Sequence, residues 1–301
     1  MTINSGSFAK ALWPGVNSWY GQSYNEHPVE YTMLFDKSTS RKAFEEDMGT
    51  SGFGLMSVKN EGSPISYGNA QQGFLTRYTH VTYGLGFVIT REMVEDDQYD
   101  VIGKKRAQGL AFSARQTKEV IGANVYNRAV TAGYTGGDGI VLLSDSHLNV
   151  AGGTYSNITI AATLSEATLE DLSIDIMQAK NDNSLNIALI PQSLIIPPAL
   201  VYEADRILNS PLRVGTADND LNALKNMGKF PGGVKVNHYL TSDSAYFIRT
   251  NCPDGMKYIE RRADDFSMDN DFDTDNAKYK ATSRYSFGWT DPRALYGNMG
   301  L

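Results

Sequence analysis

The feature that most constrains the fold is a stretch with helical character from Arg91 to Gly133, which contains no proline. Acidic residues at 95–97 suit a helix start, where the backbone carries partial positive charge. The pattern predicts a short helix at about 92–95 and a long helix from about Gln98 to Thr131. At about 1.5 Å per residue the long helix would reach roughly 50 Å, so other elements must pack along it. The apolar positions that recur at helical spacing are Val101, Leu110, Ala114, Ile121, Val125 and Ala129.

Composition excludes several classes of protein. With 41% hydrophobic and 11% aromatic residues, the 301-residue chain can bury substantial cores, and its length suggests roughly two domains. A net charge of −7 argues against a surface that grips nucleic acid through phosphate contacts. A single cysteine, Cys252, permits neither an internal disulfide nor a Cys-based zinc site. We find no leader and no long apolar run, and expect a cytoplasmic product without a membrane span.

The first third of the chain is rich in glycine and in aromatic residues that have no evident core. Residues 1–30 show no sustained periodicity, and we expect an extended arm that docks elsewhere, with another subunit as one candidate. Tyr31–Asp36 reads as a strand. The glycine-broken residues 38–83 predict a long two-stranded excursion, and Tyr83–Thr90 a strand that leads into the helix.

The pattern changes after the long helix. Glycine-rich turns around a short predicted strand, 140–143, lead into helix–strand–helix alternation, which marks an α/β domain at about 150–256. Two antiparallel strands then bracket an acidic loop, Asp264–Asp275. The predicted elements are a helix at Thr168–Lys180 capped by Thr168, a buried strand at Asn186–Ile190 ended by Pro191, a helix at Pro197–Leu208, and strands at 234–240, 244–249, 256–261 and 279–289.

Three sequence patterns could indicate a catalytic or metal site, and each of them has a simpler interpretation. Alternate aspartates from Asp269 to Asp275 have calcium-loop spacing, but Thr274 and Lys280 stand where that loop needs glycine and glutamate. Ser144 and His147 lie close in sequence without the nucleophile elbow of a hydrolase. The glycine clusters lack the frame of a nucleotide site. We therefore predict no enzymatic activity and no catalytic, cofactor-binding or metal-binding residues.

The long helix carries two further features. Its basic residues alternate with acidic residues, and this pattern favours a helix face exposed to solvent. The alternative is that this face contacts packaged nucleic acid. The basic residues are Lys104, Lys105, Arg106, Arg115 and Lys118. Gly103, Gly109 and Gly122 lie inside it, where each glycine costs about 1 kcal/mol relative to alanine. These glycines indicate either close backbone packing or a helix that bends, and the sequence does not choose between the two.

The order of these elements resembles the major capsid protein of tailed double-stranded-DNA phages, with the Hong Kong 97-type fold. The resemblance covers nearly the whole chain as an order of elements. It is closest to the Mu-like major head subunit in three stretches, ITREMVEDDQYD at 89–100, LLSDSHLN at 142–149 and RYSFGWTDPRALYG at 284–297.

The resemblance implies an α+β fold divided into regions with defined roles. They would be an N-terminal arm at 1–30, a peripheral-domain strand at 31–37, an extended β-hairpin loop at 38–83, a peripheral domain with the spine helix at 84–149, an axial domain at 150–256, and peripheral strands with the C-terminus at 257–301. Trp13, Trp19, Phe53 and Tyr67 are the candidate inter-subunit contacts, because these aromatic residues lack a core of their own.

It also implies a function. The chain would self-assemble as pentamers and hexamers into an icosahedral shell that encloses double-stranded DNA without sequence-specific binding. Portal and separate scaffolding or decoration proteins would be its partners, and it would be made in the bacterial cytoplasm and end in the virion. Two alternatives remain open: an encapsulin-like nanocompartment, which shares the fold, and a soluble hydrolase.

Overall fold

The computed structural model describes residues 6–26, 28–90, 92–93, 103–213, 220–270 and 276–301, excluding the side chains of 6–14 and Asn270. The helices are α1 (Gly6–Glu26), α2 (Tyr31–Leu34), α3 (Lys104–Asn127), α4 (Glu166–Met177), α5 (Val201–Asn209) and α6 (Ala223–Met227). The strands are β1 (Asp36–Thr39), β2 (Phe44–Thr50), β3 (Gln72–Thr79), β4 (Val81–Ile89), β5 (His147–Leu148), β6 (Thr154–Tyr155), β7 (Pro191–Ile196), β8 (Val234–Val236), β9 (Tyr246–Thr250), β10 (Met256–Asn270), β11 (Ala277–Trp289) and β12 (Leu295–Asn298).

The first sheet has the order β1-β10-β11-β4 and carries the long helix α3 on one face. Its centre is the hairpin of β10 and β11, in which Met256 pairs with Trp289 and Asn270 with Ala277. Alternate residues of β11 from Ala277 to Tyr285 are buried, as expected for a strand covered on one side. The sequence prediction of two antiparallel strands here is confirmed, and β10 extends well into the predicted acidic loop.

The second sheet has the order β12-β9-β7-β8, with α4 against β7 and β12. The residues buried between this sheet and helices α4, α5 and α6 include Leu172, Leu194, Ala204 and Leu224. The helix–strand–helix order predicted for 150–256 is therefore present. The last strand, β12, pairs with β9 in this sheet, although the sequence analysis grouped all of 257–301 with the first one.

A shared aromatic core joins the two sheets. Tyr126 of α3 packs with Phe247 of the second sheet, and Tyr31 packs edge-on against Tyr258 and Phe287 of the first. The Tyr126 hydroxyl donates to the Leu34 carbonyl at 2.9 Å, which satisfies the one polar atom of this ring.

The prediction of an extended arm at 1–30 is wrong for its described part. Residues Gly6–Glu26 form the helix α1, which packs on α3. The sequence pattern that indicates this helix is a set of residues at helical spacing, Val16, Tyr20 and Ser23, whose side chains are buried. Pro14 and Gly15 obscured it, because both are unfavourable inside helices.

Several other element predictions need correction. The predicted cap Thr168 is the third residue of α4, and Ser165 is the N-cap of that helix. Tyr31–Leu34 is helical, because Glu119 accepts the first backbone N–H groups of that turn. At 186–190 no strand forms, since Ala188 has a φ of 50°, and the strand begins at Pro191, a position where a missing N–H is tolerated. Residues 140–143 contribute only an isolated bridge at Val141. Finally, α3 ends at Asn127, before Thr131, and its predicted start at Gln98 lies outside the described residues.

Candidate assembly surfaces

The tip of the loop between β2 and β3 is the most exposed apolar surface of the described chain. β2 and β3 pair from Phe44↔Thr79 to Thr50↔Gln72, which confirms the predicted two-stranded excursion, and beyond them the residues form no strand. The two limbs stay close, with 2.6 Å between the Oγ atoms of Ser57 and Ser66. The exposed side chains are Phe53 (66%), Leu55 (84%), Met56 (99%), Val58 (91%), Ile65 (65%) and Tyr67 (97%).

This loop tip, residues 52–70, contains two of the four aromatic residues predicted to contact other subunits, Phe53 and Tyr67. The aliphatic members were not predicted, although they share the same sequence signal, namely apolar side chains in a glycine-broken segment that has no core. Leaving so many large apolar groups in water is unfavourable, and such patches mark sites of interaction.

The base of the loop is held to the rest of the chain by polar contacts. The Asn183 side-chain amide donates to the carbonyl oxygens of Ser51 and Gly52 at 2.7 and 3.2 Å. Ser51 is also bonded through its N–H and Oγ to the backbone of Gln71, which closes the two limbs against each other. We call Ser51, Gln71 and Asn183 the loop clasp.

A charged network fixes β2 on the first sheet just below the clasp. Asp47 accepts from the Lys257 ammonium and from the Thr290 hydroxyl, the latter at 3.0 Å. Lys257 also contacts Asp254 at 2.8 Å. Burial lowers the pKa of Lys257, but its hydrogen bonds to Asp254 and Asp47 outweigh that effect, so the pKa is raised and the cation persists. The root of the loop is therefore fixed while its tip is exposed.

The N-terminal helix is fixed to α3 through a buried ion pair. The Lys118 ammonium lies 2.5 Å from Asp264 and 3.1 Å from the Tyr24 hydroxyl, which itself donates to Asp264. Burial, followed by the hydrogen bond to Asp264, raises the pKa of Tyr24. The Tyr20 ring stacks on Phe266 with 4.4 Å between centroids.

These contacts change two predictions about this region. Trp19 is half-buried against a cluster of its own chain that includes Val16 and Tyr279, so the basis for assigning it to another subunit is gone. The Trp13 side chain lies outside the described residues. Arg115 and Lys118 are buried, and only the first turn of α3, Lys104–Arg106, presents the exposed basic face that the sequence predicted.

The helix glycines differ from one another in surroundings. A Cβ at Gly122 would lie 3.3 Å from both the Phe287 ring and the Tyr31 Cβ, which indicates close packing. A Cβ at Gly109 would meet nothing within 4 Å. Gly103 immediately precedes α3. A role of these glycines in helix bending stays a prediction.

The Ser144–His147 segment forms a hydrogen-bonded turn. His147 is buried, with Nδ1 2.7 Å from Asp138 and Nε2 3.3 Å from the Leu142 carbonyl. The Ser144 hydroxyl contacts Ser146 at 3.2 Å. Both ring nitrogens of His147 are therefore engaged by structural partners, and the segment offers no activated nucleophile.

Within the described ranges, no three His, Cys, Asp or Glu side chains are grouped so that they could hold a metal ion. Asp269 lies in β10, whereas Asp271, Asp273 and Asp275 lie outside the described residues. No helix in the described ranges is both long and apolar enough to cross a membrane.

Arg293 is a buried residue at the centre of a network of polar contacts, and its role was not predicted from the sequence. It is buried, and its Nη2 contacts Asn149 at 2.7 Å and Asp182 at 2.9 Å, while its guanidinium lies 4.1 Å from the centroid of the Tyr155 ring. Arg293 thus ties the β5–β6 hairpin and the turn that carries the clasp residue Asn183 to the C-terminal tail.

Solved structures from two phages and the capsid of a GTA particle share this fold. The chain aligns with the structure titled Mycobacterium phage Adephagia at TM-score 0.51 and 12% identity, over 90% of both chains. It aligns with that of Microbacterium phage Oxtober96 at TM-score 0.52 and 8% identity, over 90% of this chain and 91% of that one. For the capsid of a native GTA particle the TM-score is 0.54 and the identity 9%, over 89% of both. The molecule therefore has the Hong Kong 97-type capsid fold that the sequence resemblance implied.

The family follows from the sequence itself. Residues 74–298 match the family model described as phage capsid protein. The chain belongs to the phage capsid protein family, and it is a structural protein, a major capsid protein whose copies form a shell. No curated protein matches it.

Proposed function

We propose that the chain builds an icosahedral phage head around double-stranded DNA, with the loop tip, α1 and the second sheet region as contact surfaces between copies. Pentamers and hexamers are the units of such a shell. The observation that supports this proposal is the exposed loop tip, which extends from a fixed root and leaves six large apolar side chains in solvent. Apolar surface of this kind is stabilised only when another molecule covers it.

The second sheet region, meaning the second sheet with helices α4, α5 and α6, offers a further candidate contact surface. Tyr202 of α5 is 80% exposed, Leu221, which precedes α6, is 69% exposed, and Met227, the last residue of α6, is 64% exposed. Sheet regions that meet around a symmetry axis would cover these side chains. The residues 150–256 would then act as the axial domain, and 84–149 with the β10–β11 hairpin as the peripheral domain.

The remaining details of the proposal concern partners and location. The three stretches at 89–100, 142–149 and 284–297 support a place in the Mu-like group. Portal and separate scaffolding or decoration proteins would complete the head, which would be assembled in the bacterial cytoplasm from subunits without enzymatic activity. A net charge of −7 suits a container that must release its DNA.

Electron microscopy of the purified protein tests the shell directly. We expect closed shells, capsomers or tubes, and nuclease-protected double-stranded DNA in particles taken from infected cells. A monodisperse monomer under all conditions would contradict assembly. Shells that instead enclose an enzyme would favour the nanocompartment, which membership of the phage capsid family makes the weaker alternative.

A further inference from the structure

One face of the first sheet carries three neighbouring arginine residues, Arg261, Arg262 and Arg284, which we call the arginine cluster. Burial alternates along β11, and this places Arg284 on the face opposite the buried Tyr285. Arg262 of β10 lies directly across from Arg284, and a β-bulge after Glu260 brings Arg261 beside them. Because like charges directly opposite each other destabilise a sheet, the cluster would gain from a bound anion.

Two members of the cluster are anchored at the root of the β2–β3 hairpin. The Arg261 Nε donates to the Lys42 carbonyl oxygen at 3.0 Å. The Arg284 Nε donates to the His80 carbonyl oxygen at 3.2 Å. These two backbone segments lie side by side, because the His80 N–H donates to the Ala43 carbonyl oxygen at 3.4 Å. Both guanidinium groups are therefore fixed at neighbouring points by contacts that do not use their Nη groups.

No carboxylate of the described residues forms an ion pair with the arginine cluster. Arg262 donates through Nη2 to the Thr282 hydroxyl at 3.1 Å, which is another neutral acceptor. The nearby Glu45 carboxylate accepts instead from the Ser40 hydroxyl at 2.6 Å and from the Lys42 ammonium at 3.0 Å. The cluster therefore keeps its full positive charge.

His80 lies beside the cluster and responds to its charge. The ring is buried, with Nδ1 3.0 Å from the Ser286 hydroxyl and Nε2 without a hydrogen-bond partner among the described residues. Burial lowers the pKa of His80, and the charges of Arg284 and Arg261 lower it further against the opposing effect of Glu45. An acceptor bound beside this ring would remove the cost of an unpaired buried nitrogen.

We propose that the arginine cluster binds a phosphoryl group, with Arg261 and Arg284 both donating through their Nη groups to its oxygens. The planar fork of a guanidinium matches two oxygens of a carboxylate or phosphoryl group. One such fork already engages both oxygens of a carboxylate. A phosphoryl group has three oxygens and close to two negative charges at neutral pH, so it can engage two guanidinium groups at once.

The site lies within one chain, and so this inference goes beyond the proposed shell function and does not depend on it. A net charge of −7 disfavours a broad surface for the phosphates of nucleic acid. A phosphoryl group that is presented singly, as inorganic phosphate or as the terminal phosphate of a small molecule, therefore suits the cluster better than a DNA backbone does.

Calorimetric titration of the purified wild-type chain with inorganic phosphate, at constant ionic strength, tests the site. We expect saturable binding of one phosphate per chain. Replacing both Arg261 and Arg284 with lysine keeps the charge but removes the forks, and should weaken binding roughly tenfold or more. Arg206→Lys is the matched control and should leave the affinity unchanged, since the Arg206 Nε also donates to a backbone carbonyl, that of Tyr202 at 3.2 Å, but in α5.

A second measurement covers the case in which the double variant fails to fold. The single variant Arg284→Lys keeps one fork and should bind phosphate with an intermediate affinity. Phosphate should also raise the melting temperature of the wild type and of Arg206→Lys more than that of Arg284→Lys, because a ligand that binds only the folded state stabilises it. Equal shifts in all three proteins would contradict the assignment of Arg284.

The comparison ligands decide the chemical class. Acetate that binds as tightly as phosphate would overturn the phosphoryl assignment in favour of a carboxylate. A short DNA duplex that binds while free phosphate does not would overturn it in favour of a nucleic-acid surface. Absence of saturable phosphate binding to the folded wild type, or an equal loss of affinity in Arg206→Lys, would overturn the site itself. Shell formation is measured separately by electron microscopy, so none of these results bears on it.

Discussion

The side-chain amide of Asn183 donates a hydrogen bond to the backbone carbonyl of Ser51 across 2.7 Å, joining the loop root to a turn 132 residues later in the sequence. That turn is held by Asp182, which pairs with the buried Arg293 at 2.9 Å. The position of the loop is therefore coupled to the tail and to the second sheet region. The contact separates a fixed root from an exposed tip.

Replacing Asn183 with alanine should loosen this root. We expect faster backbone hydrogen exchange at residues 49–53 and 71–73, because those backbone groups lose their anchor, and a loss of about 1 kcal/mol in unfolding free energy. Asn209→Ala is the matched control, since among the described residues the Asn209 amide donates within α5, to Asp205. Equal exchange in both variants would show that the clasp does not hold the loop.

The buried pair of Lys118 and Asp264 should be essential to the docking of α1. Lys118→Met leaves a largely buried carboxylate without its cation, which should cost roughly 3–5 kcal/mol in unfolding free energy. Adding Asp264→Leu should recover much of that loss, because neither charge then remains buried alone. Lys42→Met, which breaks the exposed pair with Glu45, should cost at most about 1 kcal/mol. A small effect at Lys118 would contradict the assignment.

Glu119 should make stability depend on pH. Burial raises the pKa of its carboxyl, and the hydrogen bonds from the N–H groups of Glu30 and Tyr31 act in the opposite direction without cancelling that effect. The folded state then binds the proton more tightly than the unfolded state, whose reference pKa is 4.5. Stability is therefore lost as pH rises from 4.5 through the folded pKa.

Comparison with Glu119→Gln isolates that contribution, because the two proteins differ only in this carboxyl group. Urea unfolding between pH 4.5 and neutrality should show the wild type losing stability relative to the variant as pH rises. Parallel stability curves would mean that Glu119 titrates alike in the folded and unfolded chains.

The two glycines within α3 should respond oppositely to alanine. Gly109→Ala adds a methyl group into open space and should stabilise the helix by about 1 kcal/mol. Gly122→Ala places a Cβ 3.3 Å from Phe287 and Tyr31, and overpacking of about 1–3 kcal/mol should outweigh the gain of about 1 kcal/mol in helix propensity, so we expect a net loss of up to about 2 kcal/mol. Thermal unfolding measures both. If Gly109→Ala also impaired shell assembly while raising the melting temperature, the bending hypothesis for this position would gain direct support.

Patterns that repeat locally allowed much of the fold to be predicted. The alternation in β11 and the helical spacing from Leu110 to Val125 report burial on one face, and both elements formed. The elements that were missed depend on distant partners. The helix at Tyr31 forms around the Glu119 carboxylate, and β12 forms against β9, contacts that no local pattern encodes.

The assembly surface was predicted in part for a related reason. Phe53 and Tyr67 stood out as aromatic residues with no core, and the structure leaves both exposed. Trp19 gave the same signal, but it packs in a helix stripe whose other members were not recognised. The clasp and the Arg293 centre escaped notice because single Asn and Arg residues carry no distinguishing pattern.

If the exposed loop tip drives assembly of the shell, removal of its apolar side chains should prevent assembly. Sedimentation velocity of the wild type and of a variant with Phe53, Leu55, Met56 and Tyr67 all replaced by serine tests it most directly. We expect shell-sized particles for the wild type, and capsomers or monomers with an unchanged melting temperature for the variant. Shells of equal yield from both proteins would contradict it.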